Sequence, residues 1–288
     1  MILNVYKPKG ISSFQCVSEV RRRTKAKKAG HAGTLDPNAE GVLPVMLDKS
    51  TRVNEFFLDF DKGYECEILF GKETDTCDIW GEVVREEEYS HITDEALLEV
   101  IKSFLGHQKQ IPPVYSAIKV DGVPMYKLAR KGKAVEPKAR DIEIYSIDIL
   151  AFERNIARIH VNCSKGTYIR SLCRDIGVAL NSAACMYSLI RTHYGMFDYK
   201  DAVRLENINE NYMEYAHPVD LVLKHFPSVK INDKQKVDYL NGRSVLINGI
   251  FEEEGIRVYH KGELLALARN EKTKDGNTVL KPWKYFGE

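Results

Sequence analysis

Asp36 lies in a segment whose glycines and prolines can hold one carboxylate at a fixed place. The segment occupies residues 30–37 and reads Gly-His-Ala-Gly-Thr-Leu-Asp-Pro. Gly30 and Gly33 permit backbone angles that other residues avoid, and Pro37 disfavours a helical conformation at Asp36. A carboxylate held in this way can attack an electron-poor carbon or stabilise positive charge. The other interpretation is a structural turn, because Asp followed by Pro is a common turn start.

Several motifs, taken with the Asp36 loop, follow one another along the chain. They occupy residues 2–10, 12–13, 30–37, 41–45, 62–64, 74–81, 111–117 and 166–172. In kind and order these motifs resemble the TruB-type tRNA pseudouridine synthases. The resemblance implies an α+β fold, in which a mixed, mainly antiparallel sheet of the pseudouridine synthase type is flanked by helices. It also implies a small β-rich, PUA-like domain at the C-terminus.

The reaction implied by this resemblance is the isomerisation of a uridine in RNA. The N1 glycosidic bond breaks, the uracil turns, and C5 joins the same ribose carbon. Such a reaction needs an oxygen nucleophile or charge stabiliser beside C1′, which a carboxylate provides, and no metal or other cofactor is expected. Asp36 is the expected catalytic group. Whether it attacks C1′, attacks the base or removes a ribose proton stays open.

The resemblance implies two further catalytic residues. Arg170 would keep Asp36 ionised in a dry pocket, because a guanidinium stays charged and binds a carboxylate through two N–H groups. The alternative for Arg170 is a surface ion pair, with Asp175 as one candidate partner. Tyr64 would stack on the target base with its hydroxyl close to C5, where it could assist proton removal. Without the resemblance, Tyr64 would be an ordinary core residue.

Substrate-binding roles also follow from the resemblance. His31 would fill the space left by an extruded base, Leu189 would form an apolar wall, and Tyr168 would complete the pocket. Lys7 would support the bound RNA. The implied target is the uridine at position 55 in the T-arm of tRNA, which must leave its stack to reach the pocket. A segment from about residue 108 to 140, rich in Pro, Lys and Gly, is the expected RNA clamp.

The distribution of basic residues favours an RNA partner more than the net charge does. The chain has 288 residues and a formal net charge of +1. Its basic residues form two clusters, namely Arg21, Arg22, Arg23, Lys25, Lys27 and Lys28, and then Lys127, Arg130, Lys131, Lys133, Lys138 and Arg140. Such clusters indicate contact with phosphates, although a basic run can also be merely a solvated face.

Cysteine usage and hydropathy predict the compartment. The six cysteines lack the short paired spacing of zinc sites, so we expect them to be reduced and mostly buried, with no metal site. The apolar stretch at the N-terminus is too short for a signal peptide, and no apolar run is long enough to cross a bilayer. We therefore expect a cytoplasmic protein that binds no membrane. The resemblance implies tRNA as its partner, and we expect a monomer.

Local patterns predict the elements that position these residues. Ser12 and Gln15 form a capping box for a helix that continues to residue 23, with Phe14, Val17 and Val20 facing a core. Other helices are predicted at 50–60, 94–105 and 167–180, and strands at 2–6, 41–47, 64–70, 142–152 and 157–163. On the last helix the apolar positions from 169 to 180 share one face, whereas Arg170 lies on another.

The pattern changes past residue 226, where short strands alternate with Gly and Asn turns. We therefore expect a catalytic domain at residues 1–225 and a small PUA-like domain at 226–288. By pattern alone a generic small β module fits as well. Its aromatic residues suit a core better than a base-stacking surface.

Three other functions fit parts of this sequence. An RNA-binding or tRNA-folding protein without required catalysis would keep this fold, but the presence of Asp36, Tyr64 and Arg170 argues against it. A guide-RNA-dependent pseudouridine synthase subunit of the dyskerin type would be expected to carry longer terminal extensions. A glycosidase needs a second acid, for which Asp75 or Asp78 could be proposed, but no motif ties either residue to that role.

Overall fold

The computed structural model describes residues 1–116, 118–120, 122–129, 131, 137–247, 251, 253–272 and 278–287. Its strands are β1 (Ile2–Lys7), β2 (Ala29–His31), β3 (Glu40–Leu47), β4 (Lys62–Phe70), β5 (Lys72–Thr74), β6 (Val83–Glu86), β7 (Gly106–Gln110), β8 (Lys119–Val120), β9 (Val123–Pro124), β10 (Arg140–Glu153), β11 (Ile156–Cys163), β12 (Ala184–Tyr194), β13 (Phe197–Asp198), β14 (Val203–Arg204), β15 (Ala216–His217), β16 (Ser228–Lys230), β17 (Val245–Ile247), β18 (Gly255–His260), β19 (Glu263–Lys272) and β20 (Thr278–Tyr285). The α-helices are α1 (Ser13–Thr24), α2 (Asp94–Ser103), α3 (Met125–Ala129), α4 (Ile169–Ala179) and α5 (Asp233–Leu240). Short 3₁₀ helices occupy Asp48–Phe57, Tyr199–Asp201, Leu205–Asn207, Tyr212–Tyr215 and Val219–Leu223.

One large sheet organises the first part of the chain. Its strands follow the order β14-β1-β3-β12-β4-β11-β10-β7, with β2, β13 and β15 attached to this path. The pairs within it are antiparallel, apart from the parallel pairs β1–β14 and β3–β12. The predicted α+β class with a mainly antiparallel sheet is therefore confirmed. Because β12 lies between β3 and β4, Arg191 is opposite Gly41 on one side and Tyr64 on the other.

Helix α1 begins with the predicted capping box, but one of its residues faces the other way. The Ser12 hydroxyl accepts from the Gln15 N–H, and the Gln15 side chain accepts from the Ser12 N–H. The residues buried on α1 are Ser13, Cys16, Val17, Val20 and Thr24. Phe14 is 75% exposed, so the prediction that it faces the core is wrong. Phe14 follows Ser13 by about 100° around the helix axis, which takes it off the buried stripe.

Residues 48–57 form a 3₁₀ helix instead of the predicted α-helix. Its buried residues, Ser50, Val53 and Phe57, keep the apolar face that the sequence predicts. Ser50 and Val53 are three residues apart, which is the repeat of a 3₁₀ helix. Phe57 is fully buried and stacks on Phe197, with ring centroids 5.9 Å apart. The apolar pattern therefore predicted which side of this helix is buried, but not its 3₁₀ type.

Helix α4 carries the predicted apolar face against the sheet. Ile169, Leu172, Cys173 and Ile176 are all buried. At Gly177 the helix comes so close to β12 that an added Cβ would lie 2.4 Å from the Cβ of Ala184. The tight contact fixes α4, and therefore Arg170 in its first turn, relative to the centre of the sheet.

A second sheet, in the order β16-β18-β19-β20-β17, forms the C-terminal part. It docks on the first part through aromatic and polar contacts. Trp283 packs edge-on against Phe56 at 5.5 Å between ring centroids, and Lys284 Nζ lies 2.6 Å from Glu55 Oε1. As the sequence indicates, Trp283 belongs to a core cluster, here one that it shares with residues of the first part.

The cysteines fit the prediction of reduced, buried thiols. All six, each within the described part of the chain, are free and buried. Burial raises the pKa of Cys16 to about 11 and that of Cys163 to about 12. None of the helices in the described segments has both the length and the apolarity needed to cross a bilayer.

Candidate active site

The loop that carries Asp36 is fixed by hydrogen bonds to two other elements. The Ser13 hydroxyl, at the start of α1, donates to the Leu35 carbonyl at 2.9 Å and accepts from the Leu35 N–H at 2.9 Å. The Ala32 N–H donates to the Pro44 carbonyl in β3 at 3.0 Å. One side chain and one strand therefore define where the loop begins and where Asp36 lies.

Gly33 is required by both conformation and space. Its φ is +61°, in the left-handed region that glycine adopts most easily. An added Cβ would lie 2.7 Å from the Tyr194 ring. The Gly33 carbonyl also accepts a hydrogen bond from Arg191 Nη2 at 2.9 Å. This bond from β12 fixes the orientation of the Gly33 carbonyl.

Lys7 anchors two loops through its buried ammonium group. Its Nζ donates to the carbonyls of Pro8, Ile11 and Pro37 at 2.9, 2.7 and 3.1 Å. Burial lowers the pKa of Lys7 to about 8, although nearby acidic groups raise it. Lys7 is 0% exposed, so the support for a bound RNA expected of it would act through the two loops that it anchors. It positions Pro37, next to Asp36.

Arg170 holds the Asp36 carboxylate directly. Its Nε is 2.9 Å from Asp36 Oδ2. The same guanidinium donates from Nη1 to the Thr76 carbonyl at 3.0 Å and from Nη2 to the Tyr115 carbonyl at 3.0 Å. The Arg170 side chain is 8% exposed and that of Asp36 is 41% exposed. The carboxylate is thus fixed on one side and open to a substrate on the other.

Asp78 lies on the far side of the same guanidinium. Its Oδ2 is 3.8 Å from Arg170 Nη1, and its Oδ1 accepts from the Thr76 hydroxyl at 2.8 Å. Burial raises the pKa of Asp78, although the Thr76 hydrogen bond and Arg170 oppose the shift. Arg170 therefore lies between two carboxylates. The ion pair considered as an alternative for Arg170 is instead made by Arg174, which lies 2.7 Å from Asp175.

Tyr64 lies in β4 at the edge of the core cluster that also contains Leu35 and Leu189. It is 7% exposed, and its hydroxyl accepts a hydrogen bond from Arg191. Burial raises the pKa of Tyr64 to about 12, although Arg191 lowers it. At neutral pH Tyr64 is therefore a phenol, which favours a stacking role over proton removal.

Arg191 is a buried cation that the sequence analysis missed. It is 1% exposed. Its partners among the described residues are the carbonyls of Val42 and Gly33 at 2.7 and 2.9 Å, the Tyr64 hydroxyl, and the Tyr194 ring, whose centroid is 5.0 Å from Cζ. It therefore links the Asp36 loop to Tyr64. The available signal was an arginine directly after the apolar pair Leu189 and Ile190 in β12.

The remaining predicted pocket residues are Leu189, which is buried, and His31 and Tyr168, which are half-buried. Leu189 is 8% exposed in β12. Burial lowers the pKa of His31, with Arg191 as the second cause, so His31 is neutral at pH 7; its buried Nδ1 has no hydrogen-bond partner among the described residues. Tyr168 precedes α4, and burial raises its pKa, with Ser116, Arg170 and Asp36 among its electrostatic neighbours.

Gln110 is a second residue that the sequence analysis did not assign. It is 5% exposed. Its side-chain amide accepts from the Tyr168 N–H at 2.8 Å and donates to the Tyr168 carbonyl at 3.1 Å. Since Tyr168 gives α4 no side-chain cap of its own, Gln110 fixes the residue where α4 begins. It therefore positions Arg170, two residues later.

The predicted RNA-binding segments are only partly described. Glu19 pairs with Arg22 and Arg23 at 2.6 Å each, so part of the first basic cluster is neutralised. In the expected clamp, Arg130 and Lys133 lie outside the described residues. Its described part is tied to α4, because the Ser171 hydroxyl donates to the Ile111 carbonyl at 2.8 Å.

Comparison with known proteins gives one consistent result. Residues 21–169 match a family model described as TruB family pseudouridylate synthase (N terminal domain), and residues 170–226 match one described as tRNA pseudouridylate synthase B C-terminal domain. Two similar proteins, both named tRNA pseudouridine synthase B, come from Clostridium tetani and Clostridium perfringens. The first is 41% identical over 97% of this chain and 98% of its own length, and the second is 44% identical over 88% and 87%.

The fold is also similar to solved structures. The structure entitled "Crystal Structure of a Cbf5-Nop10-Gar1 Complex" contains a chain that is 26% identical, with a TM-score of 0.72, covering 99% of this chain and 85% of that one. A chain in "Structure of H/ACA RNP bound to a substrate RNA containing 2'-deoxyuridine" is 24% identical, with a TM-score of 0.71 and coverages of 100% and 85%. The second likeness concerns the fold alone.

Proposed function

This chain belongs to the TruB family of pseudouridylate synthases, and we propose that it converts one uridine of tRNA, at position 55 in the T-arm, into pseudouridine. The single observation that carries the proposal is the Asp36 carboxylate, half-exposed and held by Arg170 Nε at 2.9 Å. The relatives from Clostridium named tRNA pseudouridine synthase B support tRNA as the substrate.

The reaction is an internal transfer. The N1–C1′ bond breaks, a C5–C1′ bond forms, C5 loses its hydrogen, and N1 gains one. An ionised Asp36 beside C1′ serves each of the three possible routes, namely attack on C1′, attack on the base, or removal of a ribose proton. Arg170 holds this carboxylate in a fixed orientation while the substrate excludes water.

The pocket residues receive roles that fit their surroundings. Tyr64, a neutral phenol in the core, offers its ring to the uracil face. Leu189 gives an apolar wall, and Tyr168 lies near both Asp36 and Arg170. His31, which burial keeps uncharged, fills the space left by the extruded base.

We assign RNA holding to the segment from about residue 108 to 140, supported by Lys7 and by the basic cluster from Arg21 to Lys28 at the end of α1 and beyond it. The catalytic domain is residues 1–225, and residues 226–288 form the small PUA-like domain. Because Asp36, Tyr64 and Arg170 come from one chain, a monomer contains the complete site. The buried, unpaired thiols fit a cytoplasmic enzyme.

The test is to incubate the purified protein with an unmodified tRNA transcript and to map pseudouridine by carbodiimide labelling and primer extension. The wild type should modify one T-arm uridine without added guide RNA. Asp36→Asn should bind the transcript but react at least about 10⁴-fold more slowly. Asp75→Asn is the matched control, because it removes a nearby exposed carboxylate and should retain activity.

The other outcomes distinguish the alternatives. Binding without modification by either protein would favour a tRNA-binding or tRNA-folding protein. Modification that depends on an added guide RNA would favour the subunit of a guided complex. Release of free uracil, measured by chromatography, would indicate a glycosidase, and each of these results would refute the proposed function.

A further inference from the structure

An exposed tryptophan lies beside the proposed active site. Trp80 follows Asp78 in the turn between β5 and β6 and is 46% exposed. The exposed Lys9 lies over its ring, with Nζ 5.1 Å from the ring centroid. The turn is held in place, because the Ile79 N–H donates to the Met186 carbonyl at 2.9 Å and the Thr74 hydroxyl donates to the Asp78 carbonyl at 2.6 Å.

Both segments that carry this pair are connected to Asp36. On one side, Lys9 is followed by Gly10, whose N–H donates to the Pro37 carbonyl at 2.9 Å. On the other side, the Trp80 N–H donates to Asp78 Oδ1 at 3.1 Å, and Asp78 lies 3.8 Å from the guanidinium that binds Asp36. The lysine and the indole therefore lie at the rim of the site. Their contact connects the segment that is bonded to Pro37 with the turn that carries Asp78.

The chemistry of the pair matches a single-stranded nucleotide. An exposed indole can stack on any nucleobase, and an adjacent ammonium can pair with the phosphate. The two carboxylates of the same turn already have donors, since Asp75 accepts from the Glu82 N–H at 2.9 Å and Asp78 accepts from Trp80. Among the described residues Lys9 has no acidic partner, only the Trp80 ring, so its ammonium is available to an anion.

From these observations we infer that Lys9 and Trp80 form a subsite for the nucleotide next to the target uridine. The base of that nucleotide stacks on Trp80, and its phosphate pairs with Lys9. Removing a uridine from a folded loop unstacks its neighbour, and the indole replaces the lost stacking partner. The inference rests on the proposed function. It adds Trp80 as a residue that selects an RNA loop in which the base next to the target has been unstacked.

The first test compares Trp80→Ala, Trp80→Phe and the wild type on a T-arm stem-loop RNA. The alanine variant should raise KM about 5- to 150-fold, the range expected for one base–aromatic stack. Its kcat should stay within about twofold, because Trp80 does not touch the reacting atoms. Trp80→Phe should recover most of the lost affinity. Tyr215→Ala is the matched control, since Tyr215 is 41% exposed and lies in the 3₁₀ helix before β15.

The second test changes the RNA instead of the protein. An abasic site is placed on the 5′ or the 3′ side of the target uridine. At one of these places it should weaken binding to the wild type as much as Trp80→Ala does, and it should leave binding to Trp80→Ala unchanged. A plot of the logarithm of the RNA association constant against the logarithm of the salt concentration has a negative slope. Lys9→Gln should reduce the magnitude of this slope by about 0.7, the value for one phosphate on a single strand. Lys234→Gln, on α5, should leave that slope unchanged.

A direct signal comes from fluorescence, because Trp80 and Trp283 are the two tryptophans of the chain. In a W283F background carrying Asp36→Asn, the stem-loop RNA should quench Trp80, and the abasic RNA should not. An unchanged KM in Trp80→Ala, or abasic sites that weaken both proteins equally, would overturn the subsite. Failure of the wild type to form pseudouridine would instead refute the proposed function, so the two failures are distinguishable.

Discussion

Replacing Arg170 with lysine should separate orientation of Asp36 from simple charge compensation. A lysine ammonium keeps the positive charge, but it cannot supply the planar set of donors that reaches three partners at once. The guanidinium binds Asp36 at 2.9 Å and the carbonyls of Thr76 and Tyr115 at 3.0 Å each. If the ammonium stays on Asp36, both carbonyls lose their donor. At about 1–1.5 kcal/mol for each, the free energy of unfolding should fall by about 2–3 kcal/mol.

The effect on catalysis should be of similar size but of different origin. A carboxylate displaced by about 1 Å from its reactive position loses about 100-fold in rate, equivalent to about 2.7 kcal/mol of transition-state free energy. We therefore expect the single-turnover rate of Arg170→Lys to fall about 100-fold, whereas the RNA dissociation constant changes little. The rate is measured as tritium released from RNA labelled at uridine C5, since C5 loses its hydrogen in the reaction.

Arg174→Lys is the matched control for this prediction. Arg174 lies one turn further along α4 and pairs with Asp175 at 2.7 Å, away from Asp36. Its single-turnover rate should stay within about threefold of the wild type. A normal rate in Arg170→Lys, or an equal loss in both variants, would show that the geometry of the Arg170–Asp36 pair does not limit the reaction.

Three further predictions concern the buried groups around the loop. The first is a double-mutant cycle of Arg191→Lys and Tyr64→Phe. Because Arg191 binds the Tyr64 hydroxyl, the effects of the two substitutions on the activation free energy should be coupled by about 0.5–3 kcal/mol. Additive effects would contradict that link. Burial lowers the pKa of Lys7 from 10.5 to about 8, so the unfolded chain keeps its proton over pH 8–10.5 while the folded one loses it. The unfolding free energy of the wild type should therefore rise across that window relative to Lys7→Met, by up to about 1.4 kcal/mol per pH unit, and a constant difference in denaturant titrations would refute this sign. Gly33→Ala should lower the melting temperature and the turnover rate together, because its Cβ would lie 2.7 Å from the Tyr194 ring; an unchanged melting temperature would show that the loop yields without cost.

Sequence patterns predict most reliably what depends on neighbouring residues. The capping box at Ser12 and the apolar face of α4 involve positions within a few turns of one another, and both are confirmed. The exposure of Phe14 was not predicted. Phe14, Val17 and Val20 are spaced by three residues, and this spacing alone does not show whether Phe14 or its neighbour Ser13 begins the buried stripe. The 3₁₀ form of residues 48–57 was not predicted, and neither was the stacking of Phe57 on Phe197, which lies far away in the sequence.

The roles of the buried cations could not be predicted because they depend on strand order. Lys7 resembles an exposed basic residue before a turn, yet three carbonyls from two loops surround it. Arg191 becomes central only because β12 inserts between β3 and β4. No pattern within β12 indicates those neighbours. The pairing of Asp36 with Arg170 was implied by family resemblance and has no local signal either.

The distribution of these cations explains how a chain with a net charge of +1 can suit a polyanionic substrate. Lys7, Arg170 and Arg191 are all buried, and each contacts either Asp36 or the loop that carries it. Many acidic residues that balance the total lie on the surface, where water and salt screen them. The cations are screened less, since protein surrounds them. Their field therefore favours a bound phosphate chain close to the carboxylate that we propose as the catalytic group, and the same cations hold the loop that carries this carboxylate.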